Sequence, residues 1–268
     1  MSSTAPSATA RSSEEPAAPE PPVLFIHVMK TGGTTLLQHL LNNIPADELF
    51  PNGELDLVIE SSRRFSMRHL TLRYLRNLPE ARRRKIRVYA GHFPYIAVDA
   101  FDPPATTLTL LREPVDRTVS LLRQWSRNRP EQSLSLEDVY ELPEVFERLL
   151  HNHQTKVFSM TAEDEPLGYL QMIDVDPARL ASAKANLAKI DVVGLTERYD
   201  DFLDLVVARF GWDVKREVRA NASPRATELP ASDALRARIA EDNAIDLELY
   251  DYARRLVDAR ASEPLTPS

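Results

Sequence analysis

The stretch VLFIHVMKTGGTTLLQHLLNN, residues 23–43, constrains the fold of this chain more than any other feature. Its first six residues are almost wholly apolar, as expected of a strand buried on both faces of a parallel sheet. A glycine pair follows at 32–33, and leucines then recur on one face of a helix over residues 34–43. A buried strand that runs through a tight glycine loop into a helix predicts an α/β domain.

The same alternation of strand and helix continues along the chain. It predicts a parallel sheet with helices on both faces, in which ligands bind at the carboxyl ends of the strands. Further strands are predicted at 87–94, 106–112 and 190–195, and helices at 66–85, from Pro114 onward, in shorter pieces over 136–158, at 177–189, from a cap at Thr196 to Gly211, and at 232–257.

The overall composition excludes several classes of protein. A net charge of −7 argues against broad binding of nucleic acid, although it allows a local basic pocket for an anion. The absence of cysteine excludes disulfides, thiolate catalysis and cysteine-bound zinc. No apolar run approaches the roughly eighteen residues of a membrane span. At 268 residues, the chain suits one sizeable domain.

The two ends of the chain differ in composition from the rest. Residues 1–22 are rich in Ser, Ala, Pro and Glu, a mixture that cannot bury enough surface to order itself. Residues 262–268 are similar. We therefore expect a disordered N-terminal tail over 1–22, a single domain over 23–261, and a flexible C-terminal tail over 262–268.

The glycine loop predicts a phosphate site. The first N–H groups of a helix have no internal partner, and the glycines let a phosphate approach them closely. The alternative is an ordinary strand–helix turn with an exposed lysine. The loop is not a Walker A sequence, because its lysine precedes the glycines. The candidate ligand-binding residues are Lys30, Thr31, Gly32, Gly33, Thr34 and Thr35.

A second candidate element is LREPVDRTVS, in which Arg112 ends a strand and Ser120 follows in a helix. By itself the pattern is weak, because strands often end in arginine and a helix serine is usually solvated. Together with the first loop, it predicts a ligand with phosphates at two ends, since arginine presents a planar fork that suits phosphate.

The two motifs together resemble those of the sulfotransferases that use 3′-phosphoadenosine 5′-phosphosulfate (PAPS). HVMKTGGTTL is similar to their 5′-phosphosulfate loop and LREPVDRTVS to their 3′-phosphate element. The similarity is nearest to the bacterial and glycosaminoglycan-type branch, whose loop often has the sequence HIPKTGGTS, so Met29 replaces a proline here. It extends over about residues 23–255 and includes VGLTERYDDFL (193–203) and RANASPR (219–225). It implies a P-loop-like three-layer α/β fold with a central parallel sheet.

The resemblance also implies catalytic roles. Sulfuryl transfer to an alcohol needs a base for the hydroxyl proton and a cation for the leaving phosphate. His92, in AGHFPY, matches the family's base, with Gly91 leaving space beside it and Pro94 turning the chain away. A structural histidine is the alternative. Lys30 would stabilise the leaving group, and no metal is expected.

Other positions have weaker predictions. Tyr199 matches an aromatic residue that contacts adenine in the wider family, although a core tyrosine is the alternative. Arg219 and Arg225 are candidate partners of the 3′-phosphate. NHQTK (152–156) resembles a segment near the acceptor site. His27 is expected to support the loop rather than to take part in chemistry.

These observations predict a cytoplasmic, bacterial, PAPS-dependent sulfotransferase whose product nucleotide is adenosine 3′,5′-bisphosphate. Carbohydrates, lipid head groups and phenols all fit as acceptors, and the branch that the sequence resembles favours a glycan or glycolipid hydroxyl. A nucleotide-dependent kinase is one alternative, for which Asp99 and Asp191 are the nearest metal-binding carboxylates. A nucleotide-binding protein without catalysis is another.

Overall fold

In the computed structural model of the protein, residues 21–51, 72–164, 168–216 and 229–262 can be described. They contain a parallel sheet of five strands in the order β2-β3-β1-β4-β5. The predicted α/β architecture is therefore confirmed. The strands are β1 (Val23–Ile26), β2 (Leu49–Phe50), β3 (Val88–Gly91), β4 (Thr106–Leu111) and β5 (Val192–Leu195).

Helices surround this sheet and follow the predicted alternation. Short 3₁₀ turns connect several of them, and one π-helical turn covers Phe146–Leu150. The α-helices are α1 (Gly33–Asn43), α2 (Leu72–Arg76), α3 (Glu80–Arg83), α4 (Pro114–Asn128), α5 (Leu136–Tyr140), α6 (Pro143–Val145), α7 (His153–Ser159), α8 (Pro177–Leu187), α9 (Tyr199–Phe210), α10 (Asp233–Asp242) and α11 (Ala244–Ala261).

The central strand β1 is buried on both faces, as its apolar sequence predicted. Leu24 and Ile26 belong to one core cluster, which includes residues of α7, α8 and α11. Val23 and Phe25 belong to another, which includes residues of α1 and α9. Alternate side chains of a strand point to opposite faces, so the sheet separates two helix layers. Among the described residues, no helix is both long and apolar enough to cross a membrane.

Two of the predicted helices are interrupted. The predicted helix 66–85 extends into residues outside the described part, and its second half divides into α2 and α3 before and after Pro79. A residue that precedes proline is disfavoured in helical conformation. The predicted helix 232–257 divides at Asn243, whose side-chain oxygen accepts a hydrogen bond from Asn152 N at 2.8 Å.

Candidate active site

The loop between β1 and α1 turns through two left-handed residues. Lys30 has φ 69° and Gly32 has φ 92°. Gly32 is also the N-cap of α1, where it has no side chain to accept the N–H groups of the first turn. Thr31 is fully buried, and its hydroxyl donates to Val28 O at 2.9 Å. The Thr31 hydroxyl therefore stabilises the loop from inside.

Residue 33 must be glycine because the imidazole ring of His27 occupies the space that a side chain would need. A Cβ on Gly33 would lie 2.2 Å from ring atoms of His27. That imidazole stacks on Phe25, with ring centroids 5.0 Å apart, and lies 4.3 Å from the ring of His92. The sequence predicted His27 as a support for the loop, and the structure places its ring between the start of α1 and His92.

His92 is the first residue after β3, and its Nδ1 lies 2.6 Å from His27 O. A carbonyl oxygen only accepts, so Nδ1 carries a hydrogen and the neutral ring has its lone pair on Nε2. The edge of the Tyr169 ring packs against His92 at 5.3 Å. The expected space beside Gly91 is filled, because a Cβ there would lie 2.6 Å from Phe93.

Arg112 follows the last residue of β4 and reaches the glycine loop. Its Nη1 lies 3.4 Å from Lys30 O. The segment from His27 to Lys30 therefore accepts hydrogen bonds from both His92 and Arg112. Ser120 is half-buried on α4, the helix that begins two residues after Arg112.

The surroundings of the loop are strongly cationic. Burial, together with the charges of Arg127 and Arg112, lowers the pKa of Lys30 to about 8. Burial also lowers the pKa of Arg117 to about 10 and, together with the charge of Arg117, that of Lys156 to about 7. An anion bound here would offset the repulsion among these groups.

Two residues of the β5–α9 connection hold the loop from the other side. The ring of Tyr199 lies 3.3 Å from the position of a Cβ on Gly32, and the residue is only 7% exposed. Tyr199 is thus a support of the loop, and its contact with adenine stays a prediction. The Thr196 hydroxyl lies 2.7 Å from Thr31 O and 3.0 Å from Leu111 O. The sequence had suggested that Thr196 caps α9, but its hydroxyl contacts these two carbonyl oxygens instead, and the N-cap of α9 is Arg198.

The NHQTK segment is entirely buried beside these elements. His153 packs against the ring of Tyr169 at 5.7 Å, on the same tyrosine that His92 contacts. Burial lowers its pKa well below the usual value, so His153 is neutral near pH 7. The sequence singled out this segment without predicting its packing. Tyr169 has no sequence motif that could have identified it.

One of the two carboxylates considered for a kinase lies at the other end of the strands. Asp191 precedes β5, at the amino ends of the strands, where its Oδ2 accepts from both N and Oγ1 of Thr107 at 2.7 Å. Asp99 lies in the 3₁₀ turn Tyr95–Ala100. Within the ranges described above, no group of three or more His, Asp or Glu side chains is placed to hold a metal.

A cavity of about 850 Å³ opens at the amino ends of β1 and β3, near Val23 and Val88. At least two of the arginines that line it form contacts within the protein. Arg83 donates to Leu75 O at 2.9 Å, and Arg84 pairs with Glu80 at 2.8 Å. The cavity is thus at the opposite end of the strands from the glycine loop, so we assign the candidate site to the carboxyl ends.

The predicted partners Arg219 and Arg225 lie outside the described residues. Their contacts with the nucleotide stay predictions. The structure brings Lys30, His92 and Arg112 together, although Lys30 and Arg112 are more than 80 positions apart in the sequence.

Comparison with known proteins adds one relative. No protein-family model matches the chain. The chain is 28% identical over 288 aligned positions to heparan-sulfate 6-O-sulfotransferase 1-B of Danio rerio, and the alignment covers 89% of this chain. It covers 66% of the relative, so the chain spans just under two thirds of that protein's length. This similarity supports a relationship to the sulfotransferases.

Proposed function

We propose that this chain is a sulfotransferase that moves a sulfuryl group from PAPS to a hydroxyl of an acceptor, leaving adenosine 3′,5′-bisphosphate. One observation carries the proposal. The backbone of the segment that bears Lys30 also holds the predicted base and the predicted phosphate ligand, through His27 O to His92 and Lys30 O to Arg112. Three motifs distant in sequence therefore meet at one end of the sheet.

The residues at this end of the sheet suit a nucleotide with two phosphate groups. Gly32 and Gly33 would admit the 5′-phosphosulfate to the start of α1, with Thr34 exposed there and Lys30 beside it. Arg112 would bind the 3′-phosphate through its planar guanidinium. When bound, PAPS supplies the sulfuryl group and a phosphate as leaving group. Ser120, Thr35, Tyr199, Arg219 and Arg225 complete the proposed binding set.

The proposed chemistry is an in-line displacement. His92 accepts the proton of the acceptor hydroxyl on Nε2, while the acceptor oxygen forms its bond to sulfur. The Nδ1–H bond to His27 O keeps the ring in this tautomer and stabilises the imidazolium that forms. Lys30 stabilises the electron pair that stays on the phosphate oxygen when the sulfur–oxygen bond breaks.

A glycan hydroxyl is the acceptor that we favour. The relative is named a heparan-sulfate 6-O-sulfotransferase, and a related acceptor would suit the same family of sites. We also propose that residues 23–261 form one domain and that the enzyme is bacterial and cytoplasmic. These points rest on the sequence pattern, including the absence of cysteine.

The nucleotide is tested first by thermal unfolding. A ligand at a hundred times its dissociation constant adds about 2.7 kcal/mol to stability, so adenosine 3′,5′-bisphosphate should raise the melting temperature clearly. A rise with ATP–magnesium alone would overturn the proposal in favour of a kinase. Transfer of labelled sulfuryl groups is then measured with glycan, glycolipid and phenol acceptors. Nucleotide binding without transfer to any of them would favour the non-catalytic alternative.

A further inference from the structure

Gln154 makes a paired contact with the backbone of one residue. Its Nε2 donates to Arg112 O at 2.8 Å, and Arg112 N donates to its Oε1 at 3.1 Å. The carboxamide thus makes with Arg112 the two bonds that a neighbouring strand would make. Because the carbonyl only accepts and the N–H only donates, the orientation of the amide is determined. Gln154 is fully buried.

Gln154 is itself held in place by a second buried contact. Asp246, on α11, accepts from Gln154 N at 3.0 Å and from Thr155 N at 2.7 Å. These bonds satisfy donors in the first turn of α7, which would otherwise lack partners. Asp246 is fully buried, so the carboxylate anchors this end of α7 rigidly. The amide of Gln154 therefore starts from a well-defined position.

Arg112 needs such a contact because it lies just beyond the sheet. The pairing of β4 with β5 ends at Leu111↔Leu195, one residue earlier. The Nη1 of Arg112 lies 3.4 Å from Lys30 O. An arginine has several rotatable bonds, and a fixed backbone at residue 112 reduces the number of positions that its guanidinium can take. The side-chain amide of Gln154, on α7, takes the place of the neighbouring strand as hydrogen-bond partner for the backbone of Arg112.

We propose that Gln154 is a positioning residue that directs Arg112 toward the 3′-phosphate of the nucleotide. The inference rests on the proposed function. It makes Gln154 the source of part of the preference for a nucleotide with a 3′-phosphate over one without it. Gln154 itself does not touch the nucleotide.

The test compares dissociation constants of adenosine 3′,5′-bisphosphate and adenosine 5′-phosphate by calorimetry. Their ratio measures what the 3′-phosphate contributes. In Gln154→Met, which keeps the size of the side chain, we expect the ratio to fall about tenfold, close to the lower end of the range for a hydrogen bond to a charged group. Binding of adenosine 5′-phosphate should stay within about twofold. Arg112→Ala should lower the ratio at least as much.

The double variant separates positioning from a general structural effect. If Gln154 acts through Arg112, then Gln154→Met in the Arg112→Ala background should change the ratio little, because coupled residues are not additive. Gln132→Met, at an exposed glutamine, is the matched control and should leave the ratio unchanged. Should Gln154→Met not fold, Gln154→Ala is used, since alanine also removes both bonds to Arg112 and introduces no group that must be accommodated.

The possible failures are distinct. A wild-type protein that does not prefer adenosine 3′,5′-bisphosphate would overturn the proposed function and this inference with it. A wild-type protein with that preference, and a folded Gln154 variant that keeps all of it, would overturn only the role of Gln154. Additive effects in the double variant would also overturn it.

Discussion

At the scale of single residues, His92 has the geometry that its predicted role requires. Its Nδ1–H is bound to a backbone carbonyl at 2.6 Å, which leaves the lone pair of the neutral ring on Nε2. The residue type and its place after β3 were predictable, because both are local features of the sequence. The bond to His27 O was not, since its partner lies 65 positions away.

Replacing His92 should affect catalysis and spare nucleotide binding. We expect His92→Ala to lower kcat by at least about a hundredfold, the usual contribution of a general base. The affinity for adenosine 3′,5′-bisphosphate should change less than threefold. The assay follows labelled sulfuryl transfer beside calorimetric binding, with His151→Ala as the matched control. Undiminished transfer by His92→Ala would remove this residue from the mechanism.

Lys30 should make nucleotide binding sensitive to alkaline pH. Its pKa in the folded protein is lowered to about 8, so the free protein loses this charge as the pH rises through that value. We expect the affinity for adenosine 3′,5′-bisphosphate to decline above pH 8 by up to about tenfold per pH unit, the limit for one linked proton. Lys30→Met should bind more weakly at pH 7 and lack this decline. Titration from pH 6.5 to 9.5 measures both.

The matched control for Lys30 is Lys189→Met, an exposed lysine that follows α8. It should keep both the affinity and its decline with pH. An equal decline in Lys30→Met would show that another group is responsible.

At the scale of elements, the glycine loop depends on how closely α1 approaches the His27 ring. The strand, the loop and the helix were all predicted from residues 23–43, since each has a local signal. The supports of the loop were not, because Tyr199 and Thr196 come from a distant element. Only the folded chain places them beside it.

Adding one methyl group in the loop should therefore disturb both stability and binding. In Gly33→Ala the new Cβ would lie 2.2 Å from the His27 ring, which is itself packed between Phe25 and His92. We expect a loss of about 1–3 kcal/mol in the free energy of unfolding, as for other overpacked sites. Binding of adenosine 3′,5′-bisphosphate should fall more than tenfold. Urea unfolding and calorimetry measure the two effects.

Gly211→Ala is the control for that substitution. Gly211 also has a special conformation, φ 65°, but a Cβ there would meet nothing within 4 Å. We expect this variant to lose stability through backbone strain and to bind the nucleotide normally. If Gly33→Ala also bound normally, the loop would not be the phosphate site.

At the scale of the whole molecule, cationic groups are concentrated and buried near one end of the sheet. Lys156 is 1% exposed, and its ammonium donates to Arg148 O at 2.6 Å. Burial lowers its pKa from 10.5 to about 7, and the charge of Arg117 contributes. The folded protein therefore releases this proton near pH 7, whereas the unfolded chain keeps it to about pH 10.5.

Stability should consequently depend on pH through Lys156. Between pH 7 and 10 the unfolded chain binds more protons at this residue, so its contribution to the free energy of unfolding rises with pH. The rise is at most about 1.4 kcal/mol per pH unit. The difference between wild type and Lys156→Met, from urea unfolding at pH 7, 8 and 9, should grow in that direction. A constant difference would contradict the low pKa.

The sequence by itself determined the α/β architecture and the strand, loop and helix of residues 23–43, and it identified Lys30, His92 and Arg112 as candidate site residues. Strand and helix periodicity, glycine pairs and charged residues at strand ends are signals within a few neighbouring positions. The tertiary structure decided where helices 66–85 and 232–257 divide, which tautomer His92 adopts, and that Gln154 holds Arg112. It also lowered the pKa of Lys156. These properties depend on burial and on hydrogen bonds between segments distant in sequence, and such partners meet only when the chain has folded.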